Sequence, residues 1–286
     1  MLRASLYNPR TVQPITAVVR NIGLVAQKAR VCMERDAASD FGSPWSFGLQ
    51  LGHLALAVVA YYFLATQLDR ARLDGYAPFG FLLIGIMVQG YMTTVLVMFT
   101  KVIQDNRLAG TLKATLTTRT SPLAFVALSS TYPFCRATID VGGYLLIGVV
   151  LGWPIMSGNL AGASLVFLLS LVTFSSLGLA LATLSLVSRG TQAGVTALVS
   201  ASWLLSGGLY PVAVLPEWLR GFAPWLPATH AISALRATLL DNASIVAIGP
   251  QVAALTLFAV LAVPASAVMF AAGLRHARVH GTLGRV

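Results

Sequence analysis

Gly207 to Leu240 reads GGLYPVAVLPEWLRGFAPWLPATHAISALRATLL, and the fold turns on how that stretch is read. Pro211, Pro216, Pro224 and Pro227 forbid one continuous helix, because each lacks a backbone donor and pushes the preceding residue out of the helical region. The stretch is therefore too broken to cross a bilayer. It is also too apolar for a solvated loop, since Leu209, Tyr210, Leu215, Trp218, Leu219, Phe222, Trp225 and Leu226 lie between the prolines. The punctuation predicts two short helices, hinged at Gly221 to Pro227, that rest in lipid headgroups or against other protein.

Working outward, long apolar segments recur on both sides, at about 48–66, 79–100, 133–153, 160–186, 193–209 and 245–273. Most of them approach or exceed the ~20 residues that a ~30 Å hydrocarbon layer requires. Over 286 residues the chain is 57% hydrophobic and 10% charged, with a mean hydropathy of +0.79, whereas a soluble domain carries roughly 25% charged residues. The composition predicts an all-α integral membrane protein, a single domain of six transmembrane helices, and excludes a soluble fold.

Residues 15–35 precede the first span. Ile15, Val18, Val19, Ile22, Val25, Ala26, Ala29 and Met33 share one helical stripe, with Arg20, Lys28 and Arg30 elsewhere. That pattern predicts an N-terminal interfacial helix on the membrane surface, or a cytosolic helix packed on a partner. Trp45 follows as an interface anchor. No signal-peptide core is present at the N-terminus, so the first span is expected to direct insertion.

The net charge of +10 describes topology once it is placed on these spans. Six spans put both termini on one side. With the termini in the cytoplasm, only Arg70, Arg72, Arg220 and Arg236 of the nineteen Lys and Arg residues lie outside, as the positive-inside rule demands. Residues 207–240 then sit on the outer face. Positive charge scattered over loops forms no single groove, which excludes a nucleic-acid partner. Cys32 and Cys135 fall on the cytoplasmic side, where thiols stay reduced.

Active transport needs an energy source, and the phosphate-cradling G-x-x-x-x-G-K-[ST] motif is missing. Lys28, Lys101 and Lys113 follow Gln27, Thr100 and Leu112, so no Gly-Lys pair occurs. ATP, if used, must be hydrolysed by a separate subunit. Arg136 and Asp140 stand at i,i+4 in the third span and can form an intramembrane ion pair, either orienting the helix or serving substrate entry or a proton relay. His53, His230, His276 and His280 form no H-E-x-x-H metal motif, and no nucleophile with a nearby base stands out. Between Asp105 and Pro122, Leu108, Leu112 and Leu116 recur every four residues. They predict a short cytosolic amphipathic helix, docked into a partner or packed on its own bundle.

Two sets of residues resemble a known family. Ser206-Gly207-Gly208-Leu209-Tyr210-Pro211, then Leu215-Pro216-Glu217-Trp218-Leu219, then Leu226-Pro227-Ala228-Thr229-His230 and the later Arg236 resemble the outer segment of type-2 ABC exporter permeases. That group contains the drug, Nod-factor, O-antigen and teichoic-acid exporters. Gly110-Thr111-Leu112 with Ser121-Pro122 is similar to the family's G-T-L-E and T/S-P step, with Lys113 where the pattern has Glu.

The resemblance implies a homodimer of permeases in a prokaryotic plasma (inner) membrane, beside two copies of an ATP-binding cassette subunit that holds the ATP and Mg. The permease itself is expected to have no ATPase site and no cofactor of its own. Residues 104–120 become the coupling region, with Asn106, Arg107, Leu108, Gly110, Thr111, Leu112 and Leu116 as contacts to the motor. Residues 210–240 become outer re-entrant helices, with Tyr210, Pro211, Pro216, Trp218, Trp225, Pro227 and Arg236 as an outer gate. Thr229 is a candidate N-cap for the last of them, and Arg236 is expected to project toward headgroups, a substrate phosphate or Asp241. The leading expectation is export of an amphipathic, lipid-linked or glycan-type molecule. The alternatives are a membrane-embedded lipid-modifying enzyme using His230 and Glu217, or an ion-coupled secondary transporter working through Asp140.

Overall fold

A computed structural model describes residues 44–69, 73, 75–108, 131–154, 158–187 and 191–279. The expected interfacial helix at 15–35 and the stretch 109–130 lie outside the described residues. Among the described residues the structure is helical throughout: α1 (Pro44–Ala65), α2 (Pro78–Leu108), α3 (Thr131–Val150), α4 (Leu160–Val187), α5 (Thr191–Leu205), α6 (Glu217–Arg220), α7 (Pro227–Leu240) and α8 (Gly249–Val279). Two single 3-10 turns, Val212–Val214 and Ala223–Trp225, flank α6.

Every apolar segment read from the sequence is occupied by a helix. By length and composition, three helices can cross a membrane, through Pro78–Lys101, Leu160–Leu184 and Gly249–His276, and shorter apolar stretches run over Leu51–Ala65 and Ala193–Leu205. Several boundaries differ from expectation, α5 ending at Leu205 rather than 209 and α8 running to Val279 rather than 273 among them; two others have an identifiable local cause. α2 does not stop at Thr100 but continues to Leu108, since Lys101 to Leu108 contains neither Gly nor Pro to break it. α8 begins at Gly249 rather than 245, because the preceding residues fold into a turn closed by Ile248 N donating to Ser244 O at 3.3 Å.

The bundle is built around α2. Its Leu83, Ile84, Tyr91 and Val95 are fully buried, against α3, α4, α5, α7 and α1. α4 packs between α2 and α8, and its hydroxyls tie the layers: Ser170 Oγ and Tyr91 Oη share a buried bond of 2.7 Å, while Thr173 Oγ1 donates to Leu255 O on α8 at 3.4 Å. The exterior inverts the pattern of a soluble bundle. Leu257, Val260, Leu261 and Val268 of α8 and Leu56 and Phe63 of α1 are 60% or more exposed, as apolar helices are when their surroundings are hydrocarbon.

Asn159 fixes how α7 meets this bundle. Its Oδ1 accepts from Gly162 N at 3.0 Å and so caps α4. Its own amide donates to Thr238 O at 2.8 Å, and its Nδ2 to Ala243 O at 2.9 Å. The end of α7 is thereby tied to the start of α4. Beyond α7, Asn242 takes a left-handed conformation (φ 50°), and Ala243 N returns to Ala237 O at 2.9 Å.

Candidate functional site

The segment between α5 and α8 is assembled from the end of α5 outward. A helix leaves its last carbonyls unpaired, and here one backbone amide and two side-chain hydroxyls answer them. Ser206 N donates to Ser202 O at 2.9 Å, Ser206 Oγ to Trp203 O at 3.1 Å, and Tyr210 Oη to Leu204 O at 2.6 Å. Burial holds the Tyr210 hydroxyl above its ordinary pKa, so it stays a neutral donor. Gly207 takes the left-handed conformation (φ 76°) that stops α5, and Pro211 prevents its resumption.

Pro211, Pro216 and Pro227 then each open a new short piece instead of merely breaking an old one, and Pro224 lies inside the Ala223–Trp225 turn. Pro211 O accepts from Val214 N at 3.0 Å, and Pro216 is the N-cap of α6, with its carbonyl accepting from Leu219 and Arg220. Pro227 occupies the first turn of α7, where its missing N–H costs nothing. Arg220 braces the pieces, its Nη2 donating to Ala213 O at 2.9 Å and Leu215 O at 3.3 Å. Trp218, Phe222 and Trp225 project outward, 71%, 58% and 77% exposed. The expected pair of short helices is thus two 3-10 turns, one four-residue helix and the 14-residue α7.

Two expectations about α7 are corrected. Thr229 is not its N-cap: the helix starts at Pro227 after Leu226, with no side-chain cap. Proline's preset φ begins the helix three residues earlier than a Thr229 cap would place it. Arg236 does not point to headgroups, a phosphate or Asp241. It is 6% exposed and turns inward, with Nη1 donating to Gly207 O at 2.9 Å and Nη2 to Gly208 O at 2.8 Å and Phe81 O at 3.1 Å. Its guanidinium lies 3.3 Å from the centre of the Phe81 ring. A planar fork with several donors matches two successive carbonyls and stacks on an aromatic face, which an ammonium cannot do.

The turn that Arg236 holds rests directly on α2. A Cβ added at Gly85 would collide with Gly208 O, and one added at Gly208 would meet Trp203 Nε1 at 2.9 Å. α2 therefore needs glycine at 85 for the Gly207-Gly208 turn to approach. Phe81 and Gly85 were not singled out from the sequence. An isolated glycine inside a helical run was the available signal for the latter, whereas Phe81 gave none.

The other sequence-derived residues fall into three places. Arg136 and Asp140 face each other along α3, Nε to Oδ1 3.4 Å, with the side chains 5% and 14% exposed. Asn106, Arg107 and Leu108 occupy the last turn of α2, while Gly110, Thr111, Leu112 and Leu116 lie outside the described residues. His230 Nε2 donates to Pro224 O at 2.9 Å, so it braces the proline-broken segment. In the core of the bundle, Phe167 and Phe174, which the sequence did not single out as packing partners, lie on Tyr91 with ring centres at 5.2 and 5.6 Å.

No match to the chain was found among curated proteins. A family model described as ABC-2 type transporter matches residues 27–240, from before α1 to the end of α7. Apolar helices sheathed in exposed hydrocarbon, a segment broken by proline between α5 and α8, and a family match over most of the chain lead to one conclusion: the chain is a multi-pass membrane permease and belongs to the ABC-2 type transporter family.

Proposed function

We propose that the chain is the membrane-spanning half of an ATP-driven exporter. Permeases of this family pair with an ATP-binding cassette subunit. In this reading α1, α2, α3, α4, α5 and α8 are six spans of one permease domain in the prokaryotic inner membrane, with both termini cytoplasmic. Two copies form a homodimer beside two cassette subunits, which hold the ATP and Mg. The cargo is amphipathic, lipid-linked or glycan-type. Residues 104–120 receive the motor's stroke, and the re-entrant segment 210–240 is the outer gate, with Tyr210, Pro211, Pro216, Trp218, Trp225 and Pro227 shaping it and Arg236 locking it.

The observation that carries this reading is the continuity of α2. Its Phe81 and Gly85 touch the Arg236-held turn, and the same unbroken helix reaches Asn106, Arg107 and Leu108. Its 31 residues span about 46 Å at ~1.5 Å per residue, well beyond a ~30 Å hydrocarbon layer. A rod of that length can carry displacement from a cytoplasmic contact to the outer turn without a separate relay.

The test is reconstitution. The chain is purified with its candidate ATP-binding subunit and placed in vesicles loaded with a fluorescent amphipathic dye. Stable complex formation and Mg-ATP-dependent dye movement are expected. If no complex forms and the chain alone modifies lipid, the exporter reading falls to the enzyme reading.

A further inference from the structure

A groove of about 310 Å³ opens sideways between α3 and α4. Its floor is Met87 of α2 with Leu235 and Leu239 of α7, each under 5% exposed to the outside. Thr138 and Ser164 line it too, but their hydroxyls are already committed, donating to Phe134 O at 2.8 Å and Ala161 O at 2.9 Å. Among the described residues the groove therefore offers no free hydroxyl donor to a headgroup or to water. Water in such a space would lack its usual two to four partners, and an empty one would forfeit the dispersion contacts of its walls.

The banks say what fills it. Ile139 and Leu146 on α3 and Leu160 and Leu168 on α4 are half or more exposed, carry no polar group and continue the apolar exterior of the bundle. A protein partner would find nothing there to fix its register. We propose that the groove is a binding site for one acyl chain of a bilayer phospholipid, inserted between α3 and α4 and resting on α7. Leu235 and Leu239 flank Arg236, so the bound chain braces the helix that locks the Gly207-Gly208 turn, and lipid chain length or unsaturation becomes an input to the outer segment.

The proposal rests on α3 and α4 lying in the bilayer, and the experiment separates the two claims. The full chain, with its ATP-binding partner, is placed in nanodiscs of phosphatidylcholine doped with a phosphatidylcholine bearing a diazirine on one acyl chain. After irradiation, adducts are mapped by mass spectrometry. Adducts are expected at Leu146 and Leu168, which report bilayer contact, and at Met87, Leu235 and Leu239, which only a chain inside the groove can reach. A Cβ at Gly142 has nothing within 4 Å, so Gly142→Phe plugs the groove and should lower the floor adducts about tenfold, equivalent to ~1.4 kcal/mol. Gly142→Ala should leave them nearly unchanged.

Adducts at Leu146 and Leu168 with none on the floor overturn the acyl-chain site, as does floor labelling indifferent to Gly142→Phe. Absence of adducts on both helices overturns the site together with the six-span reading. Floor labelling that disappears during Mg-ATP turnover and returns on its removal assigns the groove to the tail of a transported molecule, and also overturns a resident lipid.

Discussion

Arg236 is a charge held where charge is expensive, and its partners explain why it is tolerated. Three carbonyls accept from its fork and Phe81 lies under its plane. Bonds to a charged group are worth ~1.5–3 kcal/mol each, and the three made by Nη1 and Nη2 offset much of the cost of desolvation. Arg236→Lys keeps the charge but loses the fork and the stacking, and should cost about 1–3 kcal/mol. Arg236→Ala should cost more, because it strands buried carbonyls. Gly85→Ala acts on the same turn from the other side, pushing a methyl against Gly208 O, and should cost a comparable 1–3 kcal/mol, roughly. Thermal unfolding of the detergent-purified variants, followed by tryptophan fluorescence, measures each. Because both substitutions release one turn, their effects should be clearly less than additive; full additivity would mean that Arg236 and Gly85 do not share it.

At the scale of elements, the segment between α5 and α8 is a chain of short pieces, each carrying a proline at or near its start, where a backbone donor is not needed. Pro227 lies in the first turn of α7 and Pro216 is the N-cap of α6. Replacing either by Ala mainly loosens the unfolded chain, a loss of about 0.4–1 kcal/mol. Pro216→Ala and Pro227→Ala should therefore leave assembly with the ATP-binding subunit intact while changing transport or basal ATP turnover, because the angles between the pieces are no longer preset. Pull-down of the partner and ATPase assays on the same preparations separate the outcomes. An effect on assembly alone would reduce the segment to a plug. α2 plays the complementary part, a stiff rod between the turn and the expected coupling region, while the segment it touches is jointed.

At the scale of the molecule, α2 sits at the centre, with 67% of its apolar window buried, and α8 at the edge, with 17%. The outward faces of α1, α5 and α8 carry Leu56, Leu198 and Leu257 at half or more exposure, and lipid or a second copy must cover them. The homodimer reading expects native mass spectrometry from mild detergent to give twice the 30.2 kDa chain without the ATP-binding subunit, or a multiple containing two permeases with it. A permease that appears only singly in both would remove the homodimer. The positions of the long helices were legible in the sequence because burial in hydrocarbon imposes a local requirement, a run of ~20 apolar residues, that neighbours along the chain satisfy together. The broken segment was legible for the same reason, since proline acts on its own residue and the one before it. The direction of Arg236 was not. Its carbonyl partners stand 28, 29 and 155 positions away, and nothing within a turn of Arg236 distinguishes a side chain bound for headgroups from one folded inward. Asn159 shares that property: the cap on α4 is local and readable, but its bonds to Thr238 and Ala243 exist only once α7 lies beside it. The sequence alone determined an all-helical membrane chain and where its helices run. Only the tertiary structure decided which polar groups meet, because a buried carbonyl accepts whichever donor packing brings to it.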